Sequence, residues 1–595
     1  LTDETQGAEA PQGAEAPQGA EAPQGAEAPR DGGAPVARRD GGAPVARRDR
    51  GAPAARRREA GGWKAARWVR RAVQIAVLVF FIYLLFAALQ RRAAFPYADF
   101  FFRLDPLAAF STMLAARQWL PHLALAVVTV VAALVLGRVW CGWICPLGTL
   151  LGWFRFRAAR RVPPRLRGVK YVLLGVIVVM AALGSLTLLV LDPIALLTRT
   201  FTTSLIPGFD YVVGAMESAV MSWGLGSGGV TWIEEHFRGS VLPVYQPHYA
   251  QGVAIFLVFL AVVLLNVVAE QFWCRYLCPL GALLGLAAKL QVLRPLVGDG
   301  CNGCNACVRA CRVDAIEAAG ARADAGARPG GKAAPVRARV VSSECTMCLD
   351  CLVACPEREA MSFGPVLTPG PWAAYDPGRR QFLAAATIGV GTVALLGTSV
   401  ARAIKAPGLI RPPGAQDEGA FLSRCLRCSE CMKVCPTSGL QPSLGQAGLE
   451  ALWTPVLASR LGYCDYSCTA CGQVCPSGAI PKLDLETKRK QVLGVAVIDR
   501  NRCLPWASNT PCIVCQEMCP ISNKAIVLSD QRLITRPDGT QDYLARPKVV
   551  PKRCIGCGIC EYKCPLEGAS AIVVLPSNPS LAVGGAPGGA AYPEG

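Results

Sequence analysis

Twenty-eight cysteines stand beside only three histidines, His122, His236 and His248, in a chain of 595 residues. Most of the thiols fall in tight runs. Cys301, Cys304, Cys307 and Cys311 are spaced C-x2-C-x2-C-x3-C, and the same spacing recurs at Cys345, Cys348, Cys351 and Cys355, at Cys425, Cys428, Cys431 and Cys435, and at Cys554, Cys557, Cys560 and Cys564. Two quartets are stretched: Cys464, Cys468, Cys471 and Cys475 carry one extra residue in the first gap, and Cys503, Cys512, Cys515 and Cys519 carry six. Cysteines this close cannot easily pair with each other, and thiolates suit soft metals. Three thiolates on one tight loop can wrap three corners of an iron–sulfur cubane. The fourth cysteine, often ahead of Pro, usually serves the neighbouring cluster. Zinc sites instead use pairs split by a longer loop, so all 24 cysteines are read as iron ligands of six 4Fe-4S clusters.

In the first two quartets the ligands are expected to cross: Cys301, Cys304 and Cys307 with Cys355, and Cys345, Cys348 and Cys351 with Cys311. For the four later quartets, sequential and nested pairings both remain open. If Cys503 were not a ligand, its cluster would be three-iron. No CxxCH occurs and no histidine sits in the middle of an apolar run, so no haem is expected.

The remaining thiols, Cys141 with Cys145 and Cys274 with Cys278, occur in matched motifs, WCGWICPLGTLLG at 140–152 and WCRYLCPLGALLG at 273–285. At i,i+4 spacing each pair lies on one face of a helix. Redox thiols, a disulfide couple, thiolate metal ligands and plain helix-end packing are the readings open to them. Upstream of each motif lies an Asp-Pro loop, LDPLAAF at 104–110 and LDPIALL at 191–197, so a whole unit is repeated. Asp105 and Asp192 could accept protons from a quinol, or could simply cap helices.

These residues need positioning elements. The chain is 52% hydrophobic, and five apolar runs, about 72–89, 119–137, 171–191, 252–269 and 382–400, approach the length of a membrane span. Basic stretches at 64–71 and 155–170, with Lys289 and Arg294, mark the cytoplasmic side. The net charge of +19 follows these flanks, so nucleic acid is not expected as a partner. The expected organisation is a low-complexity, disordered segment at 1–62, a four-span membrane domain at 63–295, and a two-cluster domain at 296–365. A fifth span at 378–402 follows, then a four-cluster domain at 420–576 and a disordered tail at 577–595. The fold class is therefore an α-helical membrane domain of about five spans plus α+β ferredoxin-like 4Fe-4S domains.

The motifs together resemble two families. Residues 64–365, with paired CxxxCP motifs followed by two cysteine quartets, resemble NapH-type membrane proteins of periplasmic nitrate reductase systems. Residues 378–576, including CLPWASNTPCIVCQEMCP and CIGCGICEYKCP, resemble NapG- and MauM-type polyferredoxins. The chain looks like a fusion of the two. GRRQFLAAATIGVG, with Arg379 and Arg380, resembles a twin-arginine export signal, which implies that the later clusters lie in a periplasm and the earlier ones in the cytoplasm, on the inner membrane. The resemblance implies electron transfer from a quinol, possible as a bound quinone, or a cytoplasmic donor to a periplasmic reductase or cytochrome. Membrane lipid is the other expected partner. The alternative is a maturation or regulatory factor supplying electrons for metalloenzyme assembly. NosR-type relatives carry a flavin domain ahead of their spans. No S-G-A-T flavinylation motif occurs here, so no covalent flavin is expected.

Overall fold

In a computed structural model of the chain, the described residues are 54–90, 97–154, 164–223, 227–236, 238, 246–318, 337–357, 360–366, 379–396, 409–415, 417–445, 448–535 and 539–576. Of the segment expected to be disordered at 1–62, residues 1–53 lie outside them, whereas the chain from Ala54 on is helical in Ala54–Leu89; the expected tail at 577–595 also lies outside them. The chain divides into a unit of Leu1–Arg57 and a unit of Arg58–Gly595, and all contacts named below lie within the second.

The apolar runs form helices, but mostly short ones. Among the described residues, only the segment Trp63–Leu89 is long and apolar enough to cross a membrane by length and composition. The other expected spans are Pro121–Leu136, Gly168–Ala182, Gly252–Val267 and Arg380–Leu396, so five full-length spans are not found among the described residues. The backbone accounts for the shortening. Gly137 closes the helix Ala126–Leu136 at φ +69, where a Cβ would also collide with the Gln291 side chain. Gly184, at φ +88, ends Gly168–Ala182, and the chain continues as a 3-10 turn over Thr187–Leu191. The Arg379–Leu396 helix packs on Gly168–Ala182 through small residues, with Gly175 against Ala385 and Gly389 against Val179.

The sequence repeat is a structural repeat. Trp140–Ile144 and Trp273–Leu277 each form a single π turn, and each is followed at Pro146 or Pro279 by a new helix. Pro suits the first helical position because its missing N–H has no intrahelical partner there. Asp105 caps Pro106–Ala116 and Asp192 caps Pro193–Thr200, each accepting two backbone N–H groups. One apolar core, including Leu107, Trp140, Leu147, Ile194, Trp273 and Leu280, joins both halves.

The quartets build three modules, each from two consecutive quartets. A short helix carries the third cysteine of each quartet, and the helices pack in sequential pairs: Ala306–Ala310 with Asp350–Ala354, Glu430–Lys433 with Ala470–Gln473, and Val514–Glu517 with Ile559–Tyr562. Antiparallel strand pairs close the modules. Leu293–Val297 pairs with Met361–Pro365 in the first, and Leu440–Pro442 pairs with Pro455–Leu457 in the second. Gly494–Ile498 pairs with Ile572–Pro576 in the third, which also carries the hairpin Ile526–Thr535/Gln541–Val549 between its quartets.

Candidate functional site

Each regularly spaced triplet bends in the same way. The second residue after the first cysteine and the residue after the second cysteine are left-handed: Gly303 and Asn305, Met347 and Leu349, Arg427 and Ser429, Gly556 and Gly558. Left-handed Met, Leu and Arg are costly. Strain held at four equivalent loops marks a ligand clamp, and successive amides turned inward make a concavity for an anion. The stretched quartets lack the pattern. In the Cys503 loop the additional residues fold as the short helix Leu504–Ala507 and a turn closed by Thr510 N–H to Leu504 O, 3.1 Å.

The cysteines assemble across quartets. One cavity is lined by Cys345, Cys348, Cys351 and Cys311, a second by Cys425, Cys428, Cys431 and Cys475, a third by Cys503, Cys512, Cys515 and Cys564, and a fourth by Cys554, Cys557, Cys560 and Cys519. The other two sets lie within electrostatic range of one another, Cys301, Cys304 and Cys307 with Cys355, and Cys464, Cys468 and Cys471 with Cys435. The pairing left open by the spacing is thus sequential, crossed within each module. Cys503 lies on the wall of its cavity with three other thiols, as a fourth ligand must. The donor sets fit cubanes: four soft thiolates, three from one loop and one from another. Burial pushes the Cys345 and Cys464 thiols up to about 12, so iron entering these sites must displace their protons. Backbone N–H groups reach Cys311 Sγ from Ala315 (3.1 Å) and Cys475 Sγ from Ile480 (3.4 Å); such bonds tune cluster potential.

The modules adjoin. Cys464 N–H donates to Cys557 O at 2.8 Å, and the two thiols feel each other's charge. The order of sites through the second and third modules is therefore the Cys425 set, the Cys464 set, the Cys554 set and the Cys503 set, which differs from their order in the sequence.

Both ends of the helical core hold a module. At the N-terminal end of Gly168–Ala182, Glu344 of the first module accepts from Lys170 Nζ (2.5 Å), Arg138 Nη1 (3.3 Å) and Tyr171 Oη (3.2 Å). Trp143 Nε1 donates to Met347 O at 2.9 Å. Beyond the C-terminal end, Thr187 Oγ1 donates to Glu450 O (3.2 Å), and Arg199 Nη1 donates to Arg427 O (3.0 Å) with its guanidinium 4.3 Å from the Trp453 ring. Arg199 also feels the Cys428 charge. These buried cations carried no motif. Lys170 belonged only to the basic stretch at 155–170.

Two further features lie in the core. Asp105 and Asp192, 0% and 2% exposed, lie against each other. Asp105 Oδ2 and Asp192 Oδ1 have no donor among the described residues. Near the first module a cavity of about 430 Å³ is bounded by Arg70, Gln74, Cys141, Trp153, Gln271 and Cys348.

This fold and these sites define an iron–sulfur electron-transfer protein of the ferredoxin type. A family described as a 4Fe-4S binding domain matches residues 119–164 and 251–297, and one described as a 4Fe-4S dicluster domain matches residues 300–358. The methylamine utilization ferredoxin-type protein MauM of Methylorubrum extorquens is 35% identical over 219 residues, 35% of this chain and 93% of that protein. The ferredoxin-type protein NapG of Escherichia coli is 37% identical over 205 residues, 33% of this chain and 86% of that protein. MauM of Paracoccus denitrificans is 37% identical over 216 residues, 35% of this chain and 90% of that protein. No solved structure matches. The chain belongs to the NapG/MauM family of ferredoxin-type proteins, through about a third of its length.

Proposed function

We propose that the chain is a membrane-bound, NapGH-like electron carrier. It moves electrons singly through six 4Fe-4S clusters, from a quinol or a cytoplasmic donor to a periplasmic acceptor. The observation that carries this reading is the crossed assembly of 24 cysteines into sets of four, in modules at both ends of one apolar helical core. The Cys301, Cys304, Cys307 and Cys355 set and the Cys464, Cys468, Cys471 and Cys435 set complete the six. When bound, each cluster supplies a reversible one-electron couple. The chain's own residues hold the clusters within reach of one another, shield them from water and adjust their charge.

A membrane location is supported by the outward faces of the core helices, where Val79, Val127, Val131, Val253, Leu257 and Leu383 are exposed. Large apolar side chains grouped on helices in this way suit lipid contact. In this reading the short helices lie in the bilayer joined end to end with their 3-10 and π turns. The basic flanks face the cytoplasm, and Arg379 and Arg380 begin the segment that carries the second and third modules outward. A quinol site is supported by the cavity beside Cys348, which has room for a ring headgroup next to a cluster ligand and offers Arg70 and Gln74 as polar partners.

Anaerobic titration of the purified holoprotein with a short-chain quinol tests the donor. Stepwise bleaching of the cluster absorption in proportion to added quinol is expected, and Gln74→Leu should weaken it. Full bleaching by dithionite with none by any quinol would exclude the quinol and leave the cytoplasmic donor.

A further inference from the structure

Two arginines are sealed in where the second module meets the apolar core. Arg199 and Arg427 are each 1% exposed. Nearby, Arg411 pairs with Glu418 and Lys433 with Glu430, whereas neither Arg199 nor Arg427 has a carboxylate within 4 Å among the described residues. We propose that these two guanidiniums set the reduction potential of the Cys425 site. Their balancing charge is the donor set of Cys425, Cys428, Cys431 and Cys475 with its cluster, and they keep that buried site reducible. This rests on the electron-carrier reading above and names the residues that control one of its steps.

Arg427 lies on the wall of the cavity that the four thiols line. Its Nη1 donates to Cys425 O at 3.0 Å, and its Nη2 to Glu450 O at 2.6 Å and Thr187 Oγ1 at 3.5 Å. Arg199 stands behind it. Its Nη1 donates to Arg427 O and its Nη2 to Val190 O, both at 3.0 Å, and its guanidinium lies 4.3 Å from the Trp453 ring. These partners are carbonyls, one hydroxyl and a ring face, which orient a cation without neutralising it. The Nε of each arginine finds no acceptor among the described residues. Leu426 and Cys428 pack into the apolar core, which keeps water from this side of the site.

Placing a cation here is unfavourable twice over. Arg427 sits at φ +56, at the loop position that Gly303, Met347 and Gly556 fill in the other regular quartets. Glycine adopts that conformation freely and arginine does not. A buried charge without a counter-charge is also strongly destabilising. An anionic group in the cavity offsets both. One-electron reduction adds negative charge to a site removed from water, which burial opposes and two fixed positive charges favour. The third module is built differently: no charged side chain lines the Cys503 or the Cys554 cavity.

The Cys425 site is the first of the series beyond the core, so its potential decides how readily an electron from the donor side is held there. Each transfer moves one electron from the preceding carrier of the route to this site, with no bond made or broken. The hydrogen bonds of Arg199 and Arg427 also staple the second module to the core. A staple alone would leave the potential where it is, and a charge would not.

Potentiometric titration of the anaerobically purified full-chain holoprotein, followed by electron paramagnetic resonance, tests this. The component of the Cys425 site is the one that Cys475→Ser alters. Arg427→Met and Arg199→Met should each lower the reduction constant of that component roughly tenfold, a fall of about 59 mV for one electron, and leave the other components in place. Thr187→Val, which removes a hydrogen-bond partner of Arg427 but no charge, should leave the component at its wild-type potential. An unchanged potential in both methionine variants, or an equal fall in Thr187→Val, would overturn the proposal. Should Arg427→Met not fold, Arg199→Met against Thr187→Val decides it. Iron well under about 24 atoms per chain in the wild type would instead refute the six-cluster reading, while the shift of the Cys475-dependent component would still decide the role of the arginines.

Discussion

Glu344 is the residue on which the docking of the first module depends. It is 4% exposed and faces Arg138 and Lys170, 2% and 0% exposed. Removing one partner of a buried ion cluster leaves uncompensated charge and costs about 3–5 kcal/mol. Glu344→Gln should lower the stability of the holoprotein by that order in a denaturant melt, and adding Lys170→Met should recover part of it because fewer cations are left unpaired. A melt unchanged by Glu344→Gln would show that the triad does not hold the module. The crossed ligands give a second residue-level test. Cys564→Ser should perturb the same electron paramagnetic resonance component as Cys503→Ser and leave that of Cys554→Ser alone. A shared component for Cys554 and Cys564 would mean that each quartet serves its own cluster.

The π turns are the elements that bring the apolar helical core and the cysteine loop together. A Cβ at Gly142 would run into the Thr346 carbonyl between Cys345 and Cys348, whereas the equivalent position in the second turn is Arg275, whose guanidinium pairs with Asp314 at 3.2 Å. Gly142→Ala should therefore push the first module off its seat. The expected result is an unchanged iron content and slower equilibration between the first module and the others after rapid partial reduction; an unchanged rate would show that this contact is not on the route. How much of this was legible follows from the kind of interaction. Cysteine ligation is local, and three thiols on one loop can be read directly from spacing. The crossing of Cys311 and Cys355 was legible as well, since the fourth cysteine lies beyond the turn that its own cluster needs. The sequential pairing of the later quartets depends on which short helices pack, a non-local outcome. That the thiols of the two CxxxCP motifs lie near each other was hidden for the same reason: the repeat shows that Cys141 and Cys274 are equivalent, but not that the two halves face each other. Apolar content alone read the helices as too long, because Gly137 and Gly184 end them through backbone conformation.

Across the whole molecule the sites form a series that the sequence order does not follow. The Cys301 set is the outermost in the first module, with Cys304 exposed, and the Cys345 set adjoins the core. Beyond the core come the Cys425, Cys464, Cys554 and Cys503 sets. Such a series has an entry and an exit on different modules. The Cys503 end carries its own exposed surface in the long hairpin, where Tyr543 is 71% exposed, as a surface for an acceptor protein would be. Tyr543→Asp should slow delivery of electrons to an acceptor protein without changing the iron content. The most direct measurement uses the holoprotein reconstituted in sealed liposomes, with an impermeant one-electron dye trapped inside and an impermeant reductant added outside. All clusters should be reduced and the trapped dye should follow. Reduction of only the outward-facing clusters, with the trapped dye left oxidised in the wild type, would contradict a route from one face to the other.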